Sequence, residues 1–131
     1  MTASVLTVKG GITAPLGFQS AALHCGIKES ELDLVLLTAN SPIPAAGLFT
    51  TNLVRAAPVI LSQQNLKKSG GHARGIVVNS GCANACTGDK GWENARQTAI
   101  TAARALGCQS HEILLASTGV IGVDLPIELT T

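Results

Sequence analysis

The feature that most constrains this chain is a change of hydrophobic period at Gly91. From there Trp92, Ala95, Ala99, Ala102, Ala103 and Leu106 recur at the spacing of one helix face, with Glu93, Arg96 and Arg104 mainly off that stripe. Gly91–Leu106 therefore reads as an amphipathic helix. Thr87 or Asp89 is placed to cap its start, and Gly107 suits the position just past its end. Arg74–Asn79 before it and His111–Ala116 after it read as strands. One long helix set among strands calls for an α+β domain, with helices over one face of a mixed sheet.

The remaining segments fill in that plan. Ser4–Val8 is a strand candidate ended by Gly10-Gly11, and Phe18–Ile27 is another, interrupted by Gly26. Lys28–Glu31 is a charged connection. Leu32–Thr38 reads as a strongly buried strand, because Val35, Leu36 and Leu37 leave no polar face. Asn40–Pro44 reads as a loop, its prolines stopping any helix. Leu48–Asn52 reads as an edge or a loop carrying hydroxyls. Ala57–Leu61 is a strand candidate, with Pro58 at its start. Gln63–Ser69 is expected to form one or two helical turns, and Gly70-Gly71-His72 a flexible break. Pro126-Ile127-Glu128-Leu129 resembles the first turn of a helix. It is expected to be the start of an element, as in a truncated chain or one piece of a larger assembly.

The 131 residues suffice for one domain with a sizeable core, and 46% apolar against 13% charged residues exclude a disordered tail. A net charge of +1 gives no electrostatic case for nucleic acid or an anionic membrane. Phe18, Phe49 and Trp92 are the only aromatic residues, too few for a base-stacking platform. No apolar run approaches the roughly 20 residues of a membrane span. The N-terminus has the features of neither a signal nor a transit peptide. The expectation is a cytosolic protein whose Cys25, Cys82, Cys86 and Cys108 are free thiols rather than two disulfides.

Several stretches are candidates for chemistry. After the strand at His111–Ala116, Ser117-Thr118-Gly119 reads as a turn able to aim the Thr118 hydroxyl and a nearby backbone N–H at one point. Two such donors stabilise an acyl-transfer oxyanion, although the same residues also make a plain polar turn. The loop Asn79–Gly88 precedes a helix and so invites an anion, yet it matches no nucleotide-binding fingerprint. Asn79, Asn84 and Thr87 can instead satisfy the loop's own backbone. Cys82 and Cys86, with His72 or His111, have a spacing seen in zinc sites but lack a second ligand pair, so structural thiols are preferred. Cys82 lies near a helix N-terminus, where a thiolate is favoured, but no histidine is placed beside it by the sequence. His24, His72 and His111 do not cluster, and Asp33, Asp89 and Asp124 form no carboxylate pair.

Taken in order, four segments carry a resemblance. They are Gly11-Ile12-Thr13-Ala14-Pro15-Leu16-Gly17-Phe18, Ala46-Gly47-Leu48-Phe49-Thr50-Thr51-Asn52, Asn79-Ser80-Gly81 through Gly88, and Ala116-Ser117-Thr118-Gly119-Val120-Ile121-Gly122. Together they resemble the N-terminal part of the α chain of the arginine-biosynthesis glutamate N-acetyltransferase family, also called ornithine acetyltransferase. The likeness runs from about Gly10 to Pro126; Cys82 departs from it, standing where the family more often has asparagine.

The resemblance implies a layered α/β/β/α sandwich of which residues 1–131 form a single-domain, N-terminal portion. It implies acetyl transfer from N2-acetylornithine to glutamate, with acetyl-CoA as an additional donor in some members and no resident cofactor or metal. The family's precursor cleaves itself before a threonine, giving α and β chains that stay together, and that threonine is the nucleophile. Thr118 and Gly119 match the family's oxyanion-hole pair. The cleavage stretch, of the type Gly-Ser-Gly-Met-Ile-His-Pro-Asn-Met-Ala-Thr, is absent from this sequence and is expected beyond Thr131. The chain alone is accordingly expected to be inactive, and its partner is the β chain of the same precursor. Two other readings are a relative acting on another acyl-amino acid, and a non-catalytic binding or scaffold piece using the Asn79–Gly88 loop.

Overall fold

A computed structural model of the protein describes residues 7–130. Four strands form one mixed sheet in sequence order: β1 (Phe18–Leu23), β2 (Leu34–Pro44), β3 (His72–Cys82) and β4 (Ile113–Val120). The β1–β2 and β2–β3 pairs are antiparallel, whereas β3 and β4 are parallel. Helix α1 (Ala57–Lys68) connects β2 to β3, and α2 (Gly88–Leu106) is the crossover that a parallel β3–β4 pair requires. The α+β expectation is met.

The core lies between the helices and one sheet face. Leu61 of α1 and Ala95, Ala99, Ala102 and Ala103 of α2 pack on Val77, Ile113 and Leu115. Alanines along the buried stripe let α2 lie close to the sheet, and its last turn closes at Gly107 in the left-handed conformation. The helix begins at Gly88, nearly a turn earlier than its apolar stripe. Thr87 occupies the cap position, but its hydroxyl donates to Asn84 Oδ1 rather than to the helix. Asp89 lies exposed in the first turn.

Several local expectations are corrected. Ala57–Leu61 is the first half of α1, not a strand: Pro58 sits in the first helical turn, where a missing N–H costs nothing. Pro58, Leu61, Ser62 and Asn65 then form its buried side, and the expected turns at Gln63–Ser69 are its continuation. Asn40–Pro44 continues β2, with an irregular register between Thr38 and Ile43 before Ile43 and Pro44 pair with Ala73 and His72. β1 begins at Phe18, opposite Ala39, so beyond Ala39 one side of β2 has no ladder to β1 for proline to break. β1 stops at Leu23, short of Ile27, and β3 extends to Cys82. Leu34, Val35 and Leu36 are only half-buried, Leu34 and Leu36 packing against the helix-side core, whereas Leu37 is buried. Leu48–Asn52 forms no regular element, and Ile127–Leu129 is a single 3₁₀ turn. The strand expected over Ser4–Val8 falls, except for Thr7 and Val8, outside the described residues.

Candidate active site

Ser117-Thr118-Gly119 is not a turn. It is the last part of β4, in register with Asn79, Ser80 and Gly81 of β3. Open α/β sheets place their sites at the carboxyl ends of parallel strands, which is where Thr118 and Gly119 lie.

Helix α1 decides which part of β4 is accessible. Ser62, buried on α1, takes both backbone groups of Leu115: its Oγ accepts from the N–H at 2.8 Å and donates to the C=O at 2.9 Å. Asn65 Nδ2 donates to the carbonyls of Ile113 (2.8 Å) and Ser110 (3.1 Å). These side chains cover the free edge of the first half of β4. Backbone polar groups alternate between the two edges of a strand. Val120 C=O faces β3's extension, accepting from Ala83 N–H at 2.9 Å. Gly119 lies between that inward residue and the outward Leu115, at the exposed end of the strand. Side chains alternate too: Ile113 and Leu115 face the helices, so Thr118 stands on the opposite face, exposed. Thr118 and Gly119 thus bring a hydroxyl and a backbone N–H from adjacent residues to the exposed end of β4.

The backbone here is tightly held. Gly119 has φ 130° and Gly81 φ 109°, both outside the range that L side chains readily adopt. A Cβ on Gly119 would lie 2.5 Å from Cys82 N and from Gly81 O, inside β3's backbone. On its other side Gly81 is packed by the loop after β1: a Cβ there would lie 2.9 Å from Ile27 Cγ2 and from Lys28 Cγ.

That loop is organised by Asp33, a residue whose role the sequence did not disclose. Its carboxylate is buried and accepts from the N–H groups of Cys25 (2.7 Å), Gly26 (3.1 Å) and Lys28 (3.0 Å). Its backbone is tied as well: Asp33 N–H donates to Leu23 C=O at 3.1 Å, and its C=O accepts from Ser80 N–H at 2.8 Å. His24 Nδ1 lies 3.3 Å from Asp33 Oδ2 and 2.7 Å from Glu31 O. Burial raises the Asp33 pKa, but the Lys28 and Cys25 N–H groups, the Cys25 thiol and the Gly26 N–H outweigh it. The carboxyl is held well below the usual carboxylate range. Burial first, then Asp33 itself, pushes the Cys25 thiol up.

The Asn79, Asn84 and Thr87 side chains of the Asn79–Gly88 loop bond within the loop and to the start of α2. Asn79 Nδ2 donates to Cys82 C=O at 2.7 Å. Asn84 is fully buried; its Nδ2 donates to Gly91 C=O at 2.8 Å and its Oδ1 accepts from Thr87. Cys82 is buried and donates to Val123 C=O at 3.3 Å, whereas Cys86 is exposed. All four cysteines are free, and no three His, Cys, Asp or Glu side chains gather as a metal-binding group among the described residues. Beyond β4 the chain is pinned to α2 by Lys90–Asp124 at 2.6 Å and by Asn94 Nδ2 donating to Leu125 C=O at 2.9 Å.

The fold has close relatives of known structure. It matches the arginine biosynthesis bifunctional protein argJ of Bacillus halodurans with a TM-score of 0.88 at 34% identity, over 92% of this chain and 63% of that one. It matches the ornithine acetyltransferase of Mycobacterium tuberculosis, solved in complex with ornithine, with a TM-score of 0.85 at 42% identity, over 92% and 65%. The architecture is therefore that of the ornithine acetyltransferases.

Sequence comparison narrows the class. The ArgJ family profile matches residues 19–131, and the chain belongs to that family. It is 52% identical over 122 residues to the arginine biosynthesis bifunctional protein ArgJ of Gloeobacter violaceus, covering 92% of this chain and 30% of that protein. The Thermotoga neapolitana protein of the same description is 49% identical over 114 residues, covering 87% and 29%. The chain thus spans about 30% of the length of the curated relatives it matches. No helix among the described residues is long and apolar enough to cross a membrane.

Proposed function

We propose that this chain is the oxyanion-binding portion of a cytosolic acetyltransferase that moves an acetyl group from N2-acetylornithine to glutamate, yielding ornithine and N-acetylglutamate. The observation that carries the reading is the exposed Thr118, with its hydroxyl, next to the exposed Gly119, with its backbone N–H, at the end of β4 beyond the part that α1 covers. Membership of the ArgJ family, and the ornithine bound to the Mycobacterium tuberculosis relative, support ornithine and its acetyl derivative as the substrate class.

In this reading the nucleophile is the N-terminal threonine of a β chain made by self-cleavage of the same precursor. Its α-amine removes the hydroxyl proton as the oxygen attacks the acetyl carbonyl. The carbonyl π electrons move onto oxygen, and the Thr118 O–H and Gly119 N–H donate to that oxyanion. Collapse breaks the C–N bond, the proton passes to the departing amine, and ornithine leaves. The acetyl group stays on threonine as an ester until the glutamate amine attacks it through a second oxyanion at the same donors. No metal or resident cofactor enters, and acetyl-CoA would serve only as another acyl donor.

The test is intact mass of the natively expressed gene product, followed by exchange between acetylornithine and glutamate. Two co-purifying chains, the second beginning with threonine, together with transfer are expected. A single uncleaved chain without transfer would overturn the reading. Transfer only from a different acyl-amino acid would keep the chemistry and change the substrate. The scaffold alternative draws no support from the Asn79–Gly88 loop, whose Asn79, Asn84 and Thr87 side chains bond within it and to the start of α2.

A further inference from the structure

Asp33 is a buried carboxylate that the acyl-transfer chemistry does not use. It lies on neither β4 nor the exposed corner, yet it is linked to Gly119 by an unbroken series of contacts. Its carboxylate gathers the N–H groups of Cys25, Gly26 and Lys28, which fixes the path of the loop between β1 and β2. Ile27 and Lys28 of that loop pack where a side chain on Gly81 would have been. Its own C=O holds Ser80 N–H, the residue before Gly81. Gly81 in turn fills the space beside Gly119. One residue thus controls both the loop that covers Gly81 and the strand position that precedes it.

We infer that Asp33 is a positioning residue for the oxyanion site: it clamps the loop at residues 24–28 onto Gly81, and through Gly81 sets where the Gly119 N–H points. The inference rests on the proposed oxyanion role of Thr118 and Gly119. The physical demand is geometric. A donor serves an oxyanion only within hydrogen-bond distance of where the charge develops, and a displacement of about 1 Å costs up to about 10²-fold in rate. Gly119 has no side chain to lock it, so its position depends on what packs around it. An ionised carboxylate with several N–H donors is a firmer anchor than a neutral amide, which offers one acceptor oxygen and brings two donors that this cluster of N–H groups cannot accept.

The experiment uses the complete, self-processed enzyme. Folded Asp33→Asn is expected to lose about tenfold or more in kcat, with KM for acetylornithine and glutamate within about twofold. Combined with Thr118→Ala, it is expected to cost less than the sum of the two single losses, because both act on one oxyanion. A folded Asp33→Asn enzyme with wild-type kcat, beside a slow Thr118→Ala enzyme, overturns the Asp33 inference and leaves the oxyanion reading intact. Thr118→Ala at wild-type speed would instead remove the oxyanion reading and this inference with it. Should Asp33→Asn fail to fold, Ile27→Ala decides: it removes the loop's packing on Gly81 and is expected to lower kcat about threefold or more at unchanged KM. An unchanged kcat there overturns the inference.

Discussion

Gly81 and Gly119 face each other across the parallel β3–β4 pair, and a Cβ added to Gly119 would lie 2.5 Å from Gly81 O. The two strands approach here as no pair of L side chains would allow. Gly119→Ala therefore meets both a backbone overlap and a φ of 130°. We expect it to cost at least about 3 kcal/mol and to lower the yield of folded protein. Denaturant unfolding of the complete protein checks this; a midpoint equal to wild type would show that β4 can shift away from β3.

Thr118→Ala is the complementary change. The Thr118 side chain is exposed on the helix-free face, so the fold does not depend on it. Removing its hydroxyl should lower kcat by about 10²–10³-fold while the melting temperature stays within about 2 °C. Steady-state kinetics with both substrates would show it, and an unchanged kcat would take Thr118 out of the oxyanion role.

Ser62→Ala tests how β4 is anchored to α1. The variant leaves the Leu115 N–H and C=O without their buried partner. A loss of about 2–4 kcal/mol is expected from two unsatisfied backbone groups. Urea titration measures it, and a loss under about 0.5 kcal/mol would mean that water replaces the hydroxyl.

Acid should undo the Asp33 knot. Its folded carboxyl is held below the usual range, so its contribution is complete above the unfolded pKa of about 3.9. It is lost progressively as the pH falls below that value. His24, Cys25, Lys28 and Glu31, the last paired with Lys28, are the other titratable groups of the same loop. Urea midpoints between pH 6 and about pH 3 should fall more steeply in wild type than in Asp33→Asn. Parallel acid limbs would assign the acid sensitivity to other carboxylates.

Cys82→Ser and Cys86→Ser should both retain transfer activity. A serine hydroxyl in place of the Cys82 thiol keeps a donor for Val123 C=O, and Cys86 lies exposed. Elemental analysis of the wild-type enzyme is expected to find no stoichiometric zinc. Metal bound in a one-to-one ratio would restore the cysteine pair as a ligand site.

The parts of this fold that could be read from the sequence are those fixed by local period. The α2 stripe from Trp92 to Leu106 announces a helix because six apolar positions share one face. Pro58 was ambiguous by nature: strand starts and first helical turns both tolerate it, and only the packing of Leu61, Ser62 and Asn65 beneath it selects the helix. Ser117-Thr118-Gly119 has the composition of a turn but is held extended by Gly81, a partner far away in the chain. The pair at Thr118 and Gly119 could be named from a motif, whereas its position at an uncovered strand edge required α1 to be placed. Asp33 was hidden for another reason. Its donors are backbone N–H groups, which every residue but proline carries, so no residue type marks them. An acid set between Leu32 and Leu34 was the one available sign.

The hydroxyl of Ser62 has a consequence for how this protein can fail. On that half of β4 it stands where the next strand of a growing sheet would bond. While α1 is docked, a foreign backbone finds neither the N–H nor the C=O of Leu115 vacant. Peeling α1 away would expose a run of aliphatic strand ready to template its own kind. The first step toward insoluble assemblies is then the detachment of one helix, long before the sheet itself melts.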